Sequence, residues 1–292
     1  PQTGQRRPGH ARRPVRLEKC EMKVIDSHVH LPARSPKKTQ GNPFYDYFSS
    51  TADALRYARH AGVDGMVFTT MDGVWCDTQE ELDSANQEVL ELYESDPEFL
   101  YPGVQIHPAY LECSKKWLKI FHDKGLMWVG ELVHYREKRG PYDRKEWMEL
   151  FHICHKYGMV VQLHGDASII TLAKKLPELR IVNSHITIEN LPELATYPNI
   201  MIDVSGNAGG IRLGPMEAAL KYFGADRVIF GTDFIAFQIE AFLCRAKQAF
   251  SKPADYKKIM SENLMRLLTG NGGITPFQKD LQREKNNVCS AG

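Results

Sequence analysis

The feature that most constrains the fold of this 292-residue chain is a strict alternation of two kinds of segment. Short apolar runs rich in β-branched residues cover residues 23–28, 63–69, 101–106, 127–133, 159–163, 180–184, 200–204 and 227–231. Amphipathic helical runs separate them, over 52–61, 78–95, 114–124, 144–157, 168–176, 189–196, 215–223 and 239–250, and a final helix is expected over 255–268. The punctuation agrees with the periodicity. Thr78 is placed to cap the second helix, and Gly62, Gly125, Gly158 and Gly224 stand where helices should stop. Strand–helix alternation argues for a parallel sheet, and eight units argue for a closed (β/α)8 TIM barrel of the α/β class. The strand runs are apolar segments with β-branched content, as expected of strands covered on both faces. An open doubly wound sheet is the alternative, but no Gly-x-Gly-x-x-Gly follows any strand.

In such a barrel the C-terminal ends of the strands carry the chemistry. The first strand runs into Asp26-Ser27-His28-Val29-His30. Side chains alternate faces along a strand, so His28 and His30 point the same way and can grip one ion. Further strand ends supply His107, Glu131, His164, His185 and Asp233. Each has a plain reading alone: a satisfied histidine, a barrel ion pair, or, for Asp233 in Gly-Thr-Asp-Phe, a turn or cap residue. Together, three or four imidazoles with a carboxylate suit Zn²⁺, with Mn²⁺ or another divalent ion as alternatives. Such a site keeps one position open for water, whose pKa the ion lowers, and a nearby His or Asp can shuttle the proton. Asp26 shares the face of His28 and is expected to orient a ligand or cap the interior layer. His134 is expected to face away from Glu131. His60, His122, His152 and His155 fall on helical runs and are expected at the surface or in helix packing. Arg212, in Gly209-Gly210-Ile211-Arg212, is a candidate for holding a substrate carboxylate or phosphate, with His107 as a second substrate-side residue.

Composition narrows the partners. Lysine and arginine number 37 against 36 acidic residues, a net charge of +1, so no global field recruits nucleic acid or an anionic membrane. No apolar run approaches the roughly 20 residues of a membrane span. The six cysteines are scattered with no Cys-x-x-Cys pair, which favours a reducing, cytoplasmic setting over a disulfide framework. Residues 1–21 hold five arginines and three prolines, and are expected to form a disordered basic extension. Residues 22–269 are expected to be a single barrel domain, and 270–292 a polar tail. A homodimer is a common solution for a barrel of this size.

The ordered set His28-x-His30, Gly130-Glu131, His164, His185 and Thr232-Asp233 over eight βα units resembles the amidohydrolase superfamily. Its flavour is similar to the amidohydrolase-2 group, which includes enzymes like aminocarboxymuconate-semialdehyde decarboxylase. Glu262-Asn263-Leu264 after the Gly-Thr-Asp-Phe segment is also similar to how that group ends, so the resemblance covers about residues 23–269. It implies that His28, His30, His164 and Asp233 bind the metal. It also implies that His185 acts as a proton donor or acceptor, or as a ligand of a second ion, and that Asp233 takes the proton from the metal-bound water. Glu131 is the residue that a two-ion arrangement, as in TatD-like nucleases, would use as a bridge. No lysine stands at the fourth strand end to be carbamylated. The expected activity is hydrolysis of a C–N or C–O bond in a small polar substrate. Decarboxylation or hydration of a small carboxylic acid, and phosphoester cleavage, are the alternatives.

Overall fold

The computed structural model describes residues 22–32 and 47–269. Eight parallel strands form one sheet in sequence order: β1 (Ile25–Leu31), β2 (Gly65–Thr70), β3 (Leu100–Val104), β4 (Trp128–Leu132), β5 (Val160–His164), β6 (Arg180–Ser184), β7 (Ile200–Asp203) and β8 (Val228–Ile229). The sheet curls round until its ends meet. The Ser27 N–H donates to the Phe230 carbonyl at 2.9 Å, the Asp233 N–H to His28 at 2.9 Å, and Val29 bridges Phe234 in parallel. The result is a (β/α)8 barrel. Asp26 helps to clamp the seam, since its carboxylate accepts the N–H groups of His28 and Thr232, each at 3.0 Å, and the Thr232 hydroxyl at 2.5 Å. The expectation for Asp26 is a side chain that orients a ligand or caps the interior layer; it is bonded instead to backbone N–H groups and Thr232 at the seam.

The helices are α1 (Thr51–His60), α2 (Met71–Val74), α3 (Gln79–Ser95), α4 (Leu111–Asp123), α5 (Lys145–Lys156), α6 (Ser168–Lys175), α7 (Leu191–Leu194), α8 (Gly206–Ile211), α9 (Pro215–Phe223), α10 (Ile239–Ala249), α11 (Pro253–Lys257) and α12 (Asn263–Thr269). The caps behave as the sequence implies. Thr78 Oγ1 accepts from the Glu81 N–H at 3.2 Å, and Gly62, Gly125, Gly158 and Gly224 all take positive φ. His60, His122, His152 and His155 lie on α1, α4 and α5, outside the barrel mouth.

Three local differences from the sequence expectation have physical causes. Strand β1 continues past His28 to Leu31, because its second half pairs with β2 after a register shift between Asp26 and Val29. The glycine-rich stretch after β7 forms α8 rather than a loop. The expected last helix is split by a π-helical turn, Lys258–Glu262, whose Ile259 carbonyl accepts the Phe230 N–H at 3.0 Å and so ties this turn to the closing strand.

The far end of the barrel is sealed by side chains. Ile25, Val67, Trp128, Val160, Val182 and Ile229 form a buried cluster with Leu264, Leu267 and Leu268 of α12. Asn263 Nδ2 donates to the carbonyls of Ala225 and Val228 at 2.6 and 2.8 Å, locking the plug. A second, larger core packs the helices against the outside of the strands. The expectations for residues 1–21 and 270–292 lie outside the described residues.

Candidate metal centre

Residues from five strand ends converge at the open mouth. His28 and His30 leave β1 on one face, and their Nε2 atoms lie 3.1 Å apart. Their other nitrogens are tied down: His28 Nδ1 lies 3.0 Å from Asp203 Oδ2, and His30 Nδ1 lies 3.0 Å from Thr69 Oγ1. A carboxylate can only accept, which assigns the proton to His28 Nδ1 and turns the lone pair of Nε2 inward. Facing these two nitrogens are Glu131 Oε2, 3.4 Å from each, and Asp233 Oδ1, 3.7 and 3.5 Å away. The second oxygen of Glu131 lies 3.2 Å from His164 Nδ1 and 3.3 Å from His185 Nε2.

The backbone holds this geometry at some cost. His185 and Asp233 follow β6 and β8 with φ near +65° and +69°, a region non-glycine residues seldom take. The His185 N–H donates to Asp203 Oδ1 at 3.1 Å, which fixes it there. Beneath the mouth, Ser205 Oγ lies 3.0 Å from His28 Nδ1 and 2.9 Å from His185 Nδ1, and its hydroxyl bonds Asp203. Gln162 joins the same layer, donating to Asp203 Oδ2 at 2.9 Å and accepting from Trp128 Nε1 at 3.0 Å.

Electrostatics describe a centre that wants positive charge. Burial disfavours charge on His28, yet Glu131 and Asp203 outweigh it and hold the ring's pKa well above its ordinary value. His185 is raised in the same way, burial being overcome by Glu131. Burial alone would raise Glu131 and Asp203, but His28 is the first of the neighbours that carry both well below the usual carboxylate range. Carboxylates this buried need a cation beside them. In this chain the histidines answer by keeping protons, and a divalent ion would take the protons' place. The donors fit such an ion. Two sets, His28, Glu131 and His185, and His28, His30 and Asp233, each bring ligand atoms within 4.8 Å of one another. Imidazole and carboxylate are the ligands of zinc and manganese sites, and anchored second nitrogens are the usual support of metal-binding histidines.

Of the residues nominated from sequence, His28, His30, Glu131, His164, His185 and Asp233 are brought together. His107 and Arg212 are not. His107 is buried away from the cavity with Nδ1 accepting the Ala109 N–H at 3.1 Å, and Arg212 is exposed beyond the end of α8. His134, outside the cavity lining, is half-buried and paired with Asp166 at 3.3 Å. Sequence reading missed Thr69, Gln162, Asp203 and Ser205. Asp203 was within reach, as an acid inside the apolar run Ile200–Asp203. Thr69 and Gln162 carry no comparable signal.

A cavity of about 340 Å³ opens above the donors. Its walls are Met71, Val74 and Trp75 from the segment after β2, Tyr135 after β4, Asn207 of α8, and Ala236 and Phe237 after β8. No lysine or arginine lines it among the described residues.

The sequence pattern of the amidohydrolase family matches residues 25–269. No protein with curated annotation matches the sequence. Solved structures share the fold at low identity. 2,6-Dihydroxybenzoate decarboxylase from Rhizobium is 16% identical with a TM-score of 0.69, over 86% of this chain and 100% of that one. A dihydroxybenzoic acid decarboxylase from Polaromonas, with bound manganese and the inhibitor 2-nitroresorcinol, is 16% identical with a TM-score of 0.64, over 86% and 98%. A probable 2-pyrone-4,6-dicarboxylic acid hydrolase from Acinetobacter baumannii, with citric acid bound, is 16% identical with a TM-score of 0.62, over 85% and 99%.

Proposed function

Because the chain belongs to the amidohydrolase family, we propose that it is a metal-dependent enzyme that decarboxylates a small planar hydroxy acid. The observation that carries this reading is the cavity wall. Met71, Val74, Trp75, Tyr135 and Phe237 offer apolar and aromatic faces to a flat ring, and among the described residues no lysine or arginine lines the cavity to hold a second carboxylate. The substrate's one carboxylate would then be held at the donor cluster. Two of the fold's relatives named above are decarboxylases of dihydroxybenzoates, which are substrates of this kind.

His28, His30 and Asp233, with Glu131, His164 and His185 around them, would hold zinc or manganese. Both candidate sets use His28 Nε2, and one imidazole nitrogen binds one ion, so we assign a single ion rather than two. The bound ion would supply a Lewis acid that orients the carboxylate and steadies the negative charge developed in the reaction. The chain's own residues supply the rest. Trp75 and Phe237 exclude water from the ring. As the C–C bond to CO2 breaks, its electron pair stays on the ring carbon, which needs one proton. Asp233 and His185 line the cavity and would deliver it.

Hydrolysis of a C–N or C–O bond is the second reading. It is favoured by the line Asp203–Ser205–His185, whose hydrogen bonds would carry off a proton from an attacking water. Phosphoester cleavage is less well served, since among the described residues no lysine or arginine lines the cavity. Cys113, Cys154 and Cys244 are free thiols, and a reducing cytoplasm is the setting we propose. No helix among the described residues is long and apolar enough to cross a membrane.

The test is a panel of carboxyl-labelled hydroxybenzoates beside lactones and amides, offered to zinc- and manganese-loaded protein. Labelled CO2 from a hydroxybenzoate is the expected result. Turnover of lactones or amides alone, without CO2, would replace decarboxylation by the hydrolytic reading.

A further inference from the structure

Outside the metal centre, the segment that follows β4 carries a second unusual cluster. Tyr135 lines the cavity, but Arg139, four residues on, is 0% exposed. Its Nη2 donates to the Cys76 carbonyl at 3.1 Å and approaches Cys76 Sγ at 3.4 Å. Its Nε and Nη1 are buried with no acceptor. His107, also fully buried, has the same deficit. Nδ1 accepts from Ala109, so the neutral ring carries its proton on Nε2, and Nε2 has no acceptor either. Burial first, and then the charge of Arg139, push this ring down to about 3, so it remains a neutral donor at any ordinary pH.

The nearest acid does not settle the account. Asp77 is engaged by Arg136 at 3.1 Å, and Arg136 leaves its own Nε buried without an acceptor. Lys138 and Arg144 add further positive charge around His107. The arrangement is also held in place. Arg144 Nη1 donates to the carbonyls of Lys138 and Arg139 at 3.2 and 3.0 Å, and the Arg139 N–H donates to Arg136 at 3.3 Å. The guanidinium is anchored at Nη2 by Cys76, and an uncompensated buried charge is among the costliest features a fold can keep. Nε, Nη1 and Nε2 together offer N–H donors and no acceptor. A water would satisfy some of the donors but none of the charge.

We propose that Arg139 and His107 bind a small monovalent anion, of chloride or formate size, in a buried site next to Cys76 and separate from the metal centre. Arg139 supplies the charge and two donor edges, and His107 supplies a neutral donor. Trp75, the neighbour of Cys76 in the chain, is a wall of the cavity, so the anion would stiffen that wall without touching the substrate.

The experiment is thermal unfolding of the full chain, metal-loaded, at constant ionic strength. Sodium gluconate, whose anion is too bulky for such a site, is exchanged for sodium chloride, bromide or formate. The expected result is a saturable rise in Tm, about 5 °C at a hundredfold excess over Kd. Arg139→Met should abolish that rise. If Arg139→Met does not fold, crystals of the unaltered protein grown in bromide should show an anomalous peak beside Arg139 Nε. Benzoate is the control for the other source of the same chemistry. A shift given by benzoate alone, and lost in Arg139→Met, would overturn the free-anion assignment in favour of a substrate carboxylate. No response to any halide or to formate, with no bromide peak, would overturn the site itself and leave water as its occupant. None of these readouts depends on turnover, so failure here is distinct from failure of the decarboxylase reading.

Discussion

Asp203 shows how much of the centre rests on a residue that touches no cavity. One of its oxygens holds His28 Nδ1, and the other holds the His185 and Ser205 N–H groups. Asp203→Asn keeps the shape but presents an NH2 either to His28 or to the two backbone donors. The His28 tautomer would then lose its reason to leave Nε2 unprotonated. Support of this kind is worth about 10–100-fold in metal affinity. That loss is the expected outcome in a chelator competition, with circular dichroism unchanged. Asp26 makes a different prediction, about pH. Burial pushes its carboxyl up to about 7 despite the hydrogen bonds from Thr232 and His28. Its unfolded value is near 3.8, so between about pH 4 and 7 the unfolded state gives up this proton while the folded state keeps it. Stability should therefore fall as pH rises through that window, by a few kcal/mol. In metal-stripped protein, Asp26→Asn should flatten this slope in urea titrations at pH 5 and 7, because its amide can still accept the two N–H bonds and donate to Thr232. An unchanged slope would mean that Asp26 is not the group responsible. The donors themselves were legible from sequence because strand ends advertise their position. The residues that aim them were harder to read, since an interior Gln162 or a strand-end Thr69 looks like any polar residue in a barrel.

Among elements, α8 is the most informative, because its sequence argues against it. Gly-Asn-Ala-Gly-Gly-Ile has poor helix propensity, and a loop is the natural reading. The helix forms because the glycines let it press flat on its neighbours. A Cβ on Gly209 would lie 1.7 Å from the Val204 carbonyl oxygen, and one on Gly210 would lie 2.3 Å from the Phe242 ring of α10. Tertiary contact therefore overrides propensity, and it brings Asn207 to the cavity. Gly210→Ala should drive the helix off α10, at about 1–3 kcal/mol for the overpacking. The measurable signs are a Tm lower by several degrees and a raised KM, with the metal retained. The same contrast explains Arg212, which lies beyond α8 and points to solvent once the helix docks. Elements with strong local signals, such as α3 behind its Thr78 cap and α9 between Pro215 and Gly224, were legible to within a residue or two. The two-residue β8 and the π-helical turn were not, because barrel closure rather than local sequence sets them.

Across the whole molecule, the two ends of the barrel carry separate duties, and the separation can be tested. The open end gathers buried carboxylates and strained backbone at His185 and Asp233, all of it unfavourable to folding without a cation. The closed end is apolar and complete, with Trp128 and Val182 packed against Leu264, Leu267 and Leu268. Stability should thus be concentrated at the plug and function at the mouth. Leu264→Ala empties a fully enclosed position, at about 2–5 kcal/mol. For a chain of this size that lowers Tm by about 5–15 °C. At 25 °C the folded protein should still bind one equivalent of metal and turn over substrate at an undiminished rate. His28→Ala with His30→Ala should do the reverse. Metal content, read by atomic emission, should fall to background, while the Tm of the metal-free protein falls by only a few degrees, since Glu131 and Asp203 lose the ring of His28 but keep that of His185. The comparison has to be made between metal-free proteins, because a bound ion stabilises the parent chain by mass action and would exaggerate the loss. If Leu264→Ala lost its metal along with its Tm, or the double histidine variant unfolded without metal, the two ends would be energetically one unit. The apolar floor would then be part of the site it supports.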